Sequence, residues 1–348
     1  MARELAPEAR RLSEEYDVLV ADQSPSPAGG SYLVPGDAAY FHVPGDLTGG
    51  LALPGAARGG GPLGRLYRRL AAAAGLGAFE RLVCAGAARL KVVANSTWTR
   101  DRVAELSAPL LAAAPEPCRR EAAASLASAA VVHPPADYES LSSLYDPGSK
   151  GGLVLTVSRL APEKNLWSVV RVAARVPEAH FVVAGSSRGS AGAAAQLEAL
   201  VDKLRLKNVT LERDVPRRRL VELYEEAKVY LHPLRSEPFG IAIAEGAAAG
   251  AVPVVYKDGG GWTDIASRID QSLGYTNIDE AAAIVRSLLG NEDLWLRLSR
   301  RSVEVARDFS WGSYKRKLDA VVREAYELKR RSKARSATAS EPRASSPT

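Results

Sequence analysis

The chain has 348 residues, 46% of them hydrophobic and 25% charged, which is enough to fill two hydrophobic cores and favours two domains. Its two cysteines, Cys84 and Cys118, exclude a disulfide framework, and no apolar run reaches the roughly 18 residues that a membrane span requires. The formal net charge is +6, but six basic residues and one acidic residue lie in 329–348, so nucleic-acid binding is not predicted. The first residues read as a charged helix and not as a signal peptide, so we expect a cytoplasmic protein.

The first part of the chain combines short strands with helical patterns. Helices are predicted over 2–16, over 62–90 and after Asn95. Strands are predicted at Val18–Ala21, Ala38–Val43, Leu90–Ala94 and Ala129–Val132. The stretch Asp146–Gly152, with its Pro and Gly residues, is the clearest linker, so a domain boundary is predicted between 149 and 150.

Beyond this linker, apolar strands alternate regularly with helices. The strands are predicted at Leu153–Val157, His180–Ala184, Val209–Leu211, Val229–His232 and Val252–Tyr256. The intervening helices are predicted over 165–175, up to about 204, over 216–227 and over 239–249. This alternation predicts a parallel sheet covered on both faces, and ligands of such sheets bind outside the carboxyl ends of the strands.

Two loops at these carboxyl ends carry unusual charges. Arg159 and Lys164 follow the first strand and precede a helix, where a diphosphate would be a natural ligand. The alternative is that both are solvated surface cations. Glu237 and Glu245 lie eight residues apart, about 12 Å along a helix, so one carboxylate could meet a sugar and the other a ribose. Glu237 could also be a partner of the helix dipole.

Glu245 requires a partner because the rest of its helix is apolar, and the sequence offers no obvious cation within one turn. A third loop contains Gly259, Gly260 and Gly261, which is weak evidence by itself. No cluster of Asp, Glu, His or Cys has the spacing of a metal site, so neither a metal nor a cofactor is expected.

Taken together, the Arg159/Lys164 pair, Glu237 and Glu245, and the closing Phe309-Ser310-Trp311 followed by a helix resemble the family-4 (group 1) retaining glycosyltransferases of the GT-B type. The resemblance implies an α/β fold with two Rossmann-like domains facing a cleft. It assigns 1–149 to an acceptor-side domain, shortened at its start, and 150–310 to a domain that binds a nucleotide sugar. A crossover helix is then expected over 311–328 and a disordered basic tail over 329–348.

The N-terminal part narrows this resemblance. The segments Tyr40–Pro44, Leu63–Leu70, Val93–Thr99 and Val132–Asp137 are similar to those of the α-1,2-mannosyltransferases that extend the dolichol-linked oligosaccharide. GDP-mannose is therefore the expected donor, and a glycan or lipid-linked molecule the expected acceptor. The basic, aromatic stretch 58–79 is either a peripheral membrane contact or an ordinary amphipathic helix.

Carried over to this chain, the resemblance implies four catalytic residues: Arg159, Lys164, Glu237 and His42. It implies that the donor is also bound by Glu245, Pro238, Phe239, Gly240, Ile241, Gly259 and Gly260. His133 and His232 are interpreted as structural. Three alternatives remain: a non-catalytic nucleotide-sugar-binding protein, a sugar-nucleotide epimerase, or a phosphorylase of the same fold.

Overall fold

The computed structural model describes residues 11–12, 15–23, 37–42, 90–113, 116, 118–188 and 191–339. It divides into two compact units, one of Met1–Val132 with Arg316–Thr348 and the other of His133–Lys315. The predicted helix over 62–90, most of the one over 2–16 and the 58–79 segment lie outside the described residues.

The first unit contains a sheet of four parallel strands in the order β1-β2-β3-β4. These strands are Val20–Gln23, Ala38–Phe41, Lys91–Ala94 and Ala130–Val131. Helices α1 (Thr97–Ala113) and α2 (Cys118–Ala127) connect β3 to β4. Val92, Val103 and Leu126 belong to the core that forms between this sheet and the two helices, which is the packing expected of a parallel sheet.

The second unit contains six parallel strands in the order β10-β9-β8-β5-β6-β7. They are Leu153–Val157 (β5), His180–Gly185 (β6), Val209–Arg213 (β7), Ala227–His232 (β8), Val252–Tyr256 (β9) and Gly274–Tyr275 (β10). The predicted bounds of β5 and β9 are confirmed to the residue, because both are almost entirely apolar. Strand β10 was not predicted, since a strand of two residues leaves no periodic pattern.

Helices pack against this sheet and bury its strands, which is why the strands are hydrophobic. They are α3 (Tyr138–Ser143), α4 (Trp167–Ala173), α5 (Ala191–Lys203), α6 (Arg217–Glu226), α7 (Ile241–Ala248), α8 (Ile278–Gly290) and α9 (Glu292–Ala306). Asn277 and Asn291 cap α8 and α9 by accepting backbone N–H groups of Glu280 and Leu294. A π-helical segment, Gly261–Ala266, continues into the single turn Ser267–Ile269.

The last helix, α10, spans Trp311–Ala339, so the expected disordered tail does not begin at residue 329. Lys329 is buried, and its Nζ lies 3.0 Å from Asp37 Oδ2. This buried ion pair lies within the first unit and anchors the helix there. Residues 340–348 lie outside the described part.

The predicted linker is packed against the second unit. Asp146 caps a 3-10 turn at Pro147–Ser149, Lys150 Nζ donates to the Tyr224 carbonyl at 2.9 Å, and Gly151 N donates to the Glu226 carbonyl. These anchors explain why the units divide at 132/133 and not at 149/150. None of the helices in the described ranges is long and apolar enough to cross a bilayer.

Candidate active site

The loop after β5 carries Lys164 at the end of a 3-10 turn, Pro162–Lys164. Asn165 then adopts a left-handed conformation, with φ of 52°, and its side-chain amide donates to the Pro233 carbonyl at 3.0 Å. This bond ties the loop that follows β5 to the loop that follows β8, the neighbouring strand. The sheet topology thus brings together two loops that are far apart in sequence.

Glu237 is the centre of the cluster formed by these two loops. Its Oε2 lies 3.3 Å from Lys164 Nζ and 3.2 Å from His232 Nε2, and its side chain is 15% exposed. Burial by itself raises the pKa of Glu237, but the hydrogen bond from His232 and the charge and hydrogen bond of Lys164 outweigh it and lower the pKa to about 2. The carboxyl group is therefore ionised at neutral pH.

The glycine loop after β9 shapes the backbone of this cluster. Gly259 pairs with Glu237 in a parallel bridge, and Gly260 N donates to the Glu237 carbonyl at 2.7 Å. A Cβ on Gly260 would lie 2.2 Å from the Pro238 carbonyl oxygen, and Gly259 has a φ of +111°. Only glycine fits this close approach. The donor-binding role predicted for both glycines remains a prediction.

Helix α7 begins directly after the cluster. Gly240, with a φ of 94°, precedes Ile241, and no side chain of the described residues caps this helix start. The Ile241 side chain is exposed, whereas the Phe239 ring is buried against the rings of His133 and Phe309. Any contact of Phe239 with a donor would thus involve its backbone.

Glu245 lies further along α7 and has partners that the sequence did not reveal. Its Oε1 lies 3.0 Å from Arg217 Nη2, and its Oε2 accepts the Tyr224 hydroxyl at 3.0 Å. Arg217 also contacts Asp137 Oδ2 at 2.7 Å. The expectation of a partner was right, but the cation comes from helix α6 and not from the same helix.

Three aromatic rings connect the two glutamates. Tyr224 stacks on Tyr230 with 6.3 Å between centroids, and Tyr230 stacks on His232 at 6.4 Å. Glu245 and Glu237 accept hydrogen bonds from the two ends of this stack. A Cβ on Gly246 would lie 2.8 Å from the Tyr230 ring, so the glycine lets α7 pack closely on the stack.

Arg159 does not join Lys164 at Glu237. Its Nη2 lies 2.9 Å from Glu163 Oε1, and both side chains are more than half exposed, at 61% and 57%. Within the predicted cation pair, Lys164 therefore contacts the cluster, and Arg159 lies on the surface of the same loop.

His42 follows β2 in the first unit. Its carbonyl accepts the side-chain amide of Asn95 at 2.8 Å, and its ring lies edge-to-face with Tyr40 at 4.5 Å. These contacts fix its position at the carboxyl end of its own sheet. Its catalytic role remains a prediction.

The sequence analysis missed the contact between His232 and Glu237. His232 is the last residue of β8, and the rule that ligands meet the carboxyl ends of parallel strands would have singled it out. Among the described residues its Nδ1 has no hydrogen-bond partner. His133 Nε2 contacts Asp264 Oδ1 at 2.8 Å. No group of three or more potential metal ligands occurs in the described ranges.

Residues 145–306 match the family model described as Glycosyl transferases group 1. A GDP-Man:Man(3)GlcNAc(2)-PP-Dol alpha-1,2-mannosyltransferase from Dictyostelium discoideum is 24% identical over 201 residues, covering 53% of this chain and 40% of the relative. A D-inositol 3-phosphate glycosyltransferase from Mycolicibacterium smegmatis is 30% identical over 197 residues, covering 52% and 44%. The matched part thus spans less than half the length of these curated relatives.

Solved structures share the fold. A glycosyltransferase from Rickettsia africae ESF-5 has a TM-score of 0.60 at 14% identity, covering 92% of this chain and 81% of that one. WaaG, a glycosyltransferase involved in lipopolysaccharide biosynthesis, has a TM-score of 0.57 at 18% identity, covering 90% and 79%. The chain therefore has the GT-B fold, with two Rossmann-like domains.

Proposed function

We propose that the protein is a retaining glycosyltransferase, because residues 145–306 match the family model of glycosyl transferases group 1. It moves a hexose from a nucleotide sugar to a glycan or lipid-linked acceptor. The observation that carries this proposal is the ionised Glu237, held by Lys164 and His232 directly before the start of α7.

Glu237 is suited to hold the transferred sugar. Lys164 and His232 both contact Oε2, and no described residue donates a hydrogen bond to Oε1. An ionised carboxylate oxygen accepts strong hydrogen bonds from hydroxyl groups. In the proposal, Oε1 accepts hydroxyl hydrogens of the hexose, while Lys164 and His232 fix the orientation of the carboxylate.

The leaving diphosphate is the group that most needs stabilisation. In retaining transfer the acceptor attacks from the leaving-group face, so positive charge builds up on the sugar and negative charge on the diphosphate. Lys164 and the backbone amides at the uncapped start of α7 supply positive potential for that charge without a metal ion. Arg159 joins them in the proposal by exchanging Glu163 for a phosphate oxygen.

Glu245 is proposed to bind the ribose. Tyr224 and Arg217 each hold one of its oxygens, which fixes the carboxylate while leaving further lone pairs on both oxygens. The proposed donor is GDP-mannose, since two of the curated relatives, those from Dictyostelium and Neurospora, carry GDP-Man in their names. Other relatives are named for D-inositol 3-phosphate, so the test includes other donors and acceptors as well.

The test is turnover with a panel of nucleotide sugars and acceptors, with and without EDTA. We expect hexose transfer with retained anomeric configuration, unaffected by EDTA. Lys164→Ala and Glu237→Gln should each lower turnover by about 10²-fold or more, the usual loss on removing one preorganised electrostatic contact. Arg218→Met, a change at an almost fully exposed side chain, should behave like wild type.

Other results would support a different function. Donor binding without turnover on any acceptor would favour a non-catalytic binding protein. A change in the configuration of the donor sugar without its transfer would favour an epimerase. Phosphate-dependent cleavage of a glycan would favour a phosphorylase. Near wild-type activity in both Lys164→Ala and Glu237→Gln would contradict the assigned roles.

Membrane contact by 58–79 is proposed from the sequence alone. We expect the protein to float with liposomes that contain anionic lipid. Failure to float with both anionic and neutral liposomes would end this proposal and leave the transferase assignment unchanged.

A further inference from the structure

A cavity of about 490 Å³ opens at the carboxyl end of the second unit's sheet. It lies between the segments that follow β5, β8, β9 and β10. None of the residues given a catalytic or donor-binding role above, including Lys164, His232, Glu237 and Glu245, lines it. Its volume falls within the range of small-molecule sites.

Two guanidinium groups give this cavity a positive charge. Arg171 of α4 and Arg235 of the loop after β8 both line it. Neither forms an ion pair with a carboxylate in the part of the chain that the structure describes. The lining carboxylate, Glu163, is itself paired with Arg159. Two uncompensated arginines facing one cavity favour an anionic ligand.

Arg235 is held in place before any ligand arrives. Its Cζ lies 4.4 Å from the centroid of the Tyr256 ring, a cation–π contact that favours this position of the guanidinium. A fixed guanidinium loses less conformational freedom on binding a phosphate or carboxylate.

Hydroxyl and amide groups complete the lining. Within the described ranges, the hydroxyl groups of Ser168 and Tyr256 make no hydrogen bond, and the side-chain oxygen of Asn165, Oδ1, accepts none; all three residues line the cavity. Hydrogen-bonding groups of both kinds are suited to a ligand with several hydroxyl groups.

We propose that this cavity binds a small sugar phosphate, with the phosphate between Arg171 and Arg235 and the sugar hydroxyls toward Ser168, Asn165 and Tyr256. The site is separate from the proposed donor site, and its existence does not depend on the transferase activity. It shares one element with the donor site: Asn165, which connects the Lys164 loop to Pro233.

The experiment is isothermal titration of the full chain with glucose 6-phosphate, inorganic phosphate and glucose. We compare wild type with Arg171→Gln and Arg235→Gln, and use Arg300→Gln, at an exposed arginine outside the cavity, as the matched control. Lys164→Ala reports on binding at the donor site. Thermal melting confirms that each variant is folded.

We expect glucose 6-phosphate to bind wild type, Arg300→Gln and Lys164→Ala equally, and each cavity variant about tenfold or more weakly, as for the loss of one charge-assisted hydrogen bond. Inorganic phosphate should bind more weakly and glucose not at all. No binding to wild type, equal binding to every variant, or a loss confined to Lys164→Ala would overturn the proposal. Equal affinity for inorganic phosphate and glucose 6-phosphate would contradict the part of the proposal in which the cavity binds the sugar.

Discussion

Glu237 is mostly buried and carries a full negative charge, so its contribution to the free energy of unfolding depends on pH. The carboxyl group keeps its charge because Lys164 and His232 both contact one of its oxygens. The unfolded chain has no such contacts, so its glutamate titrates near the ordinary pKa of 4.5, against about 2 in the folded protein. Lowering the pH therefore lowers the free energy of unfolding through the protonation of this residue.

Proton linkage gives the direction in which this contribution changes with pH. Between pH 4.5 and about 2 the unfolded state binds more protons than the folded state, so the contribution of Glu237 is present above pH 4.5 and is lost as the pH falls through 2. The full contribution is on the order of 3 kcal/mol. Urea unfolding of wild type and Glu237→Gln should give stability differences that shrink steadily over this range. A difference that stays constant with pH would contradict the shifted pKa.

Gly260 is the second residue on which the site depends. A methyl group there would lie 2.2 Å from the Pro238 carbonyl, so the loop that carries Glu237 must move. We expect Gly260→Ala to destabilise the protein by about 1–3 kcal/mol and to lower turnover. In the matched control, Gly192→Ala, the added methyl meets no atom within 4 Å, and stability should be unchanged or slightly higher. Equal melting temperatures for both variants would show that the loop accommodates the methyl group.

At the scale of elements, the sequence predicted what is periodic or continuous. Strands β5 and β9 are almost entirely apolar, and their bounds could be predicted to the residue. The start of α7 was predicted two residues early, at 239, because Gly240 has a φ of 94° and helical periodicity does not reveal this. Lys164, Glu237 and the three glycines were also predicted to follow the carboxyl ends of strands, where the structure has them, after β5, β8 and β9.

What the sequence could not supply are contacts between elements. Arg217 reaches Glu245 from a different helix, and His232 reaches Glu237 around a loop. Lys150 looked like part of a flexible linker, yet it is buried against the carboxyl end of α6, which lowers its pKa to about 8. Side-chain pairing across a sheet depends on strand order, and strand order is not written in local periodicity.

The bridge formed by Arg217 can be tested at this scale. It connects α6 to Glu245 on α7 and to Asp137. Because Arg217 is 45% exposed, solvent screens the pairs, and Arg217→Met should cost only about 1 kcal/mol of stability. It should raise the KM for the donor more than it lowers kcat, since Glu245 loses its orientation. Arg218→Met, on the same helix but 91% exposed, should change neither quantity. A fall in kcat alone would place Arg217 outside donor binding.

At the scale of the whole molecule, two distant parts of the chain build one unit. The last helix, α10, reaches the first unit's sheet region through Lys329 and Asp37, both almost fully buried. The sequence analysis read this lysine as part of a solvated tail, because a cluster of basic residues near the end of a chain has that appearance. Partners far away in sequence, the Asp37 carboxylate and the Tyr16 carbonyl, instead hold it in a buried position.

Lys329→Met should be among the most destabilising single changes in the first unit. It removes the cation that faces a buried carboxylate, and breaking a buried pair in this way costs about 3–5 kcal/mol. Thermal or urea unfolding should detect this loss, and adding Asp37→Asn should recover part of it. The control Lys333→Met changes an exposed lysine on the same helix and should unfold like wild type. Similar stability for both lysine variants would mean that the ion pair contributes little.

Because the first unit combines residues 1–132 with residues 316–348, it cannot be completed until the last helix has been synthesised. A ribosome synthesises all six strands of the second unit, the last of which ends at Tyr275, before it reaches the start of α10 at Trp311, so this sheet can form while the earlier residues still lack their closing helix. Assembly therefore runs from the middle outwards, against the usual order in which the N-terminal domain matures first during translation. A chain truncated after residue 310 should protect the segment that starts at 133 from proteases and leave the preceding segment open to cleavage.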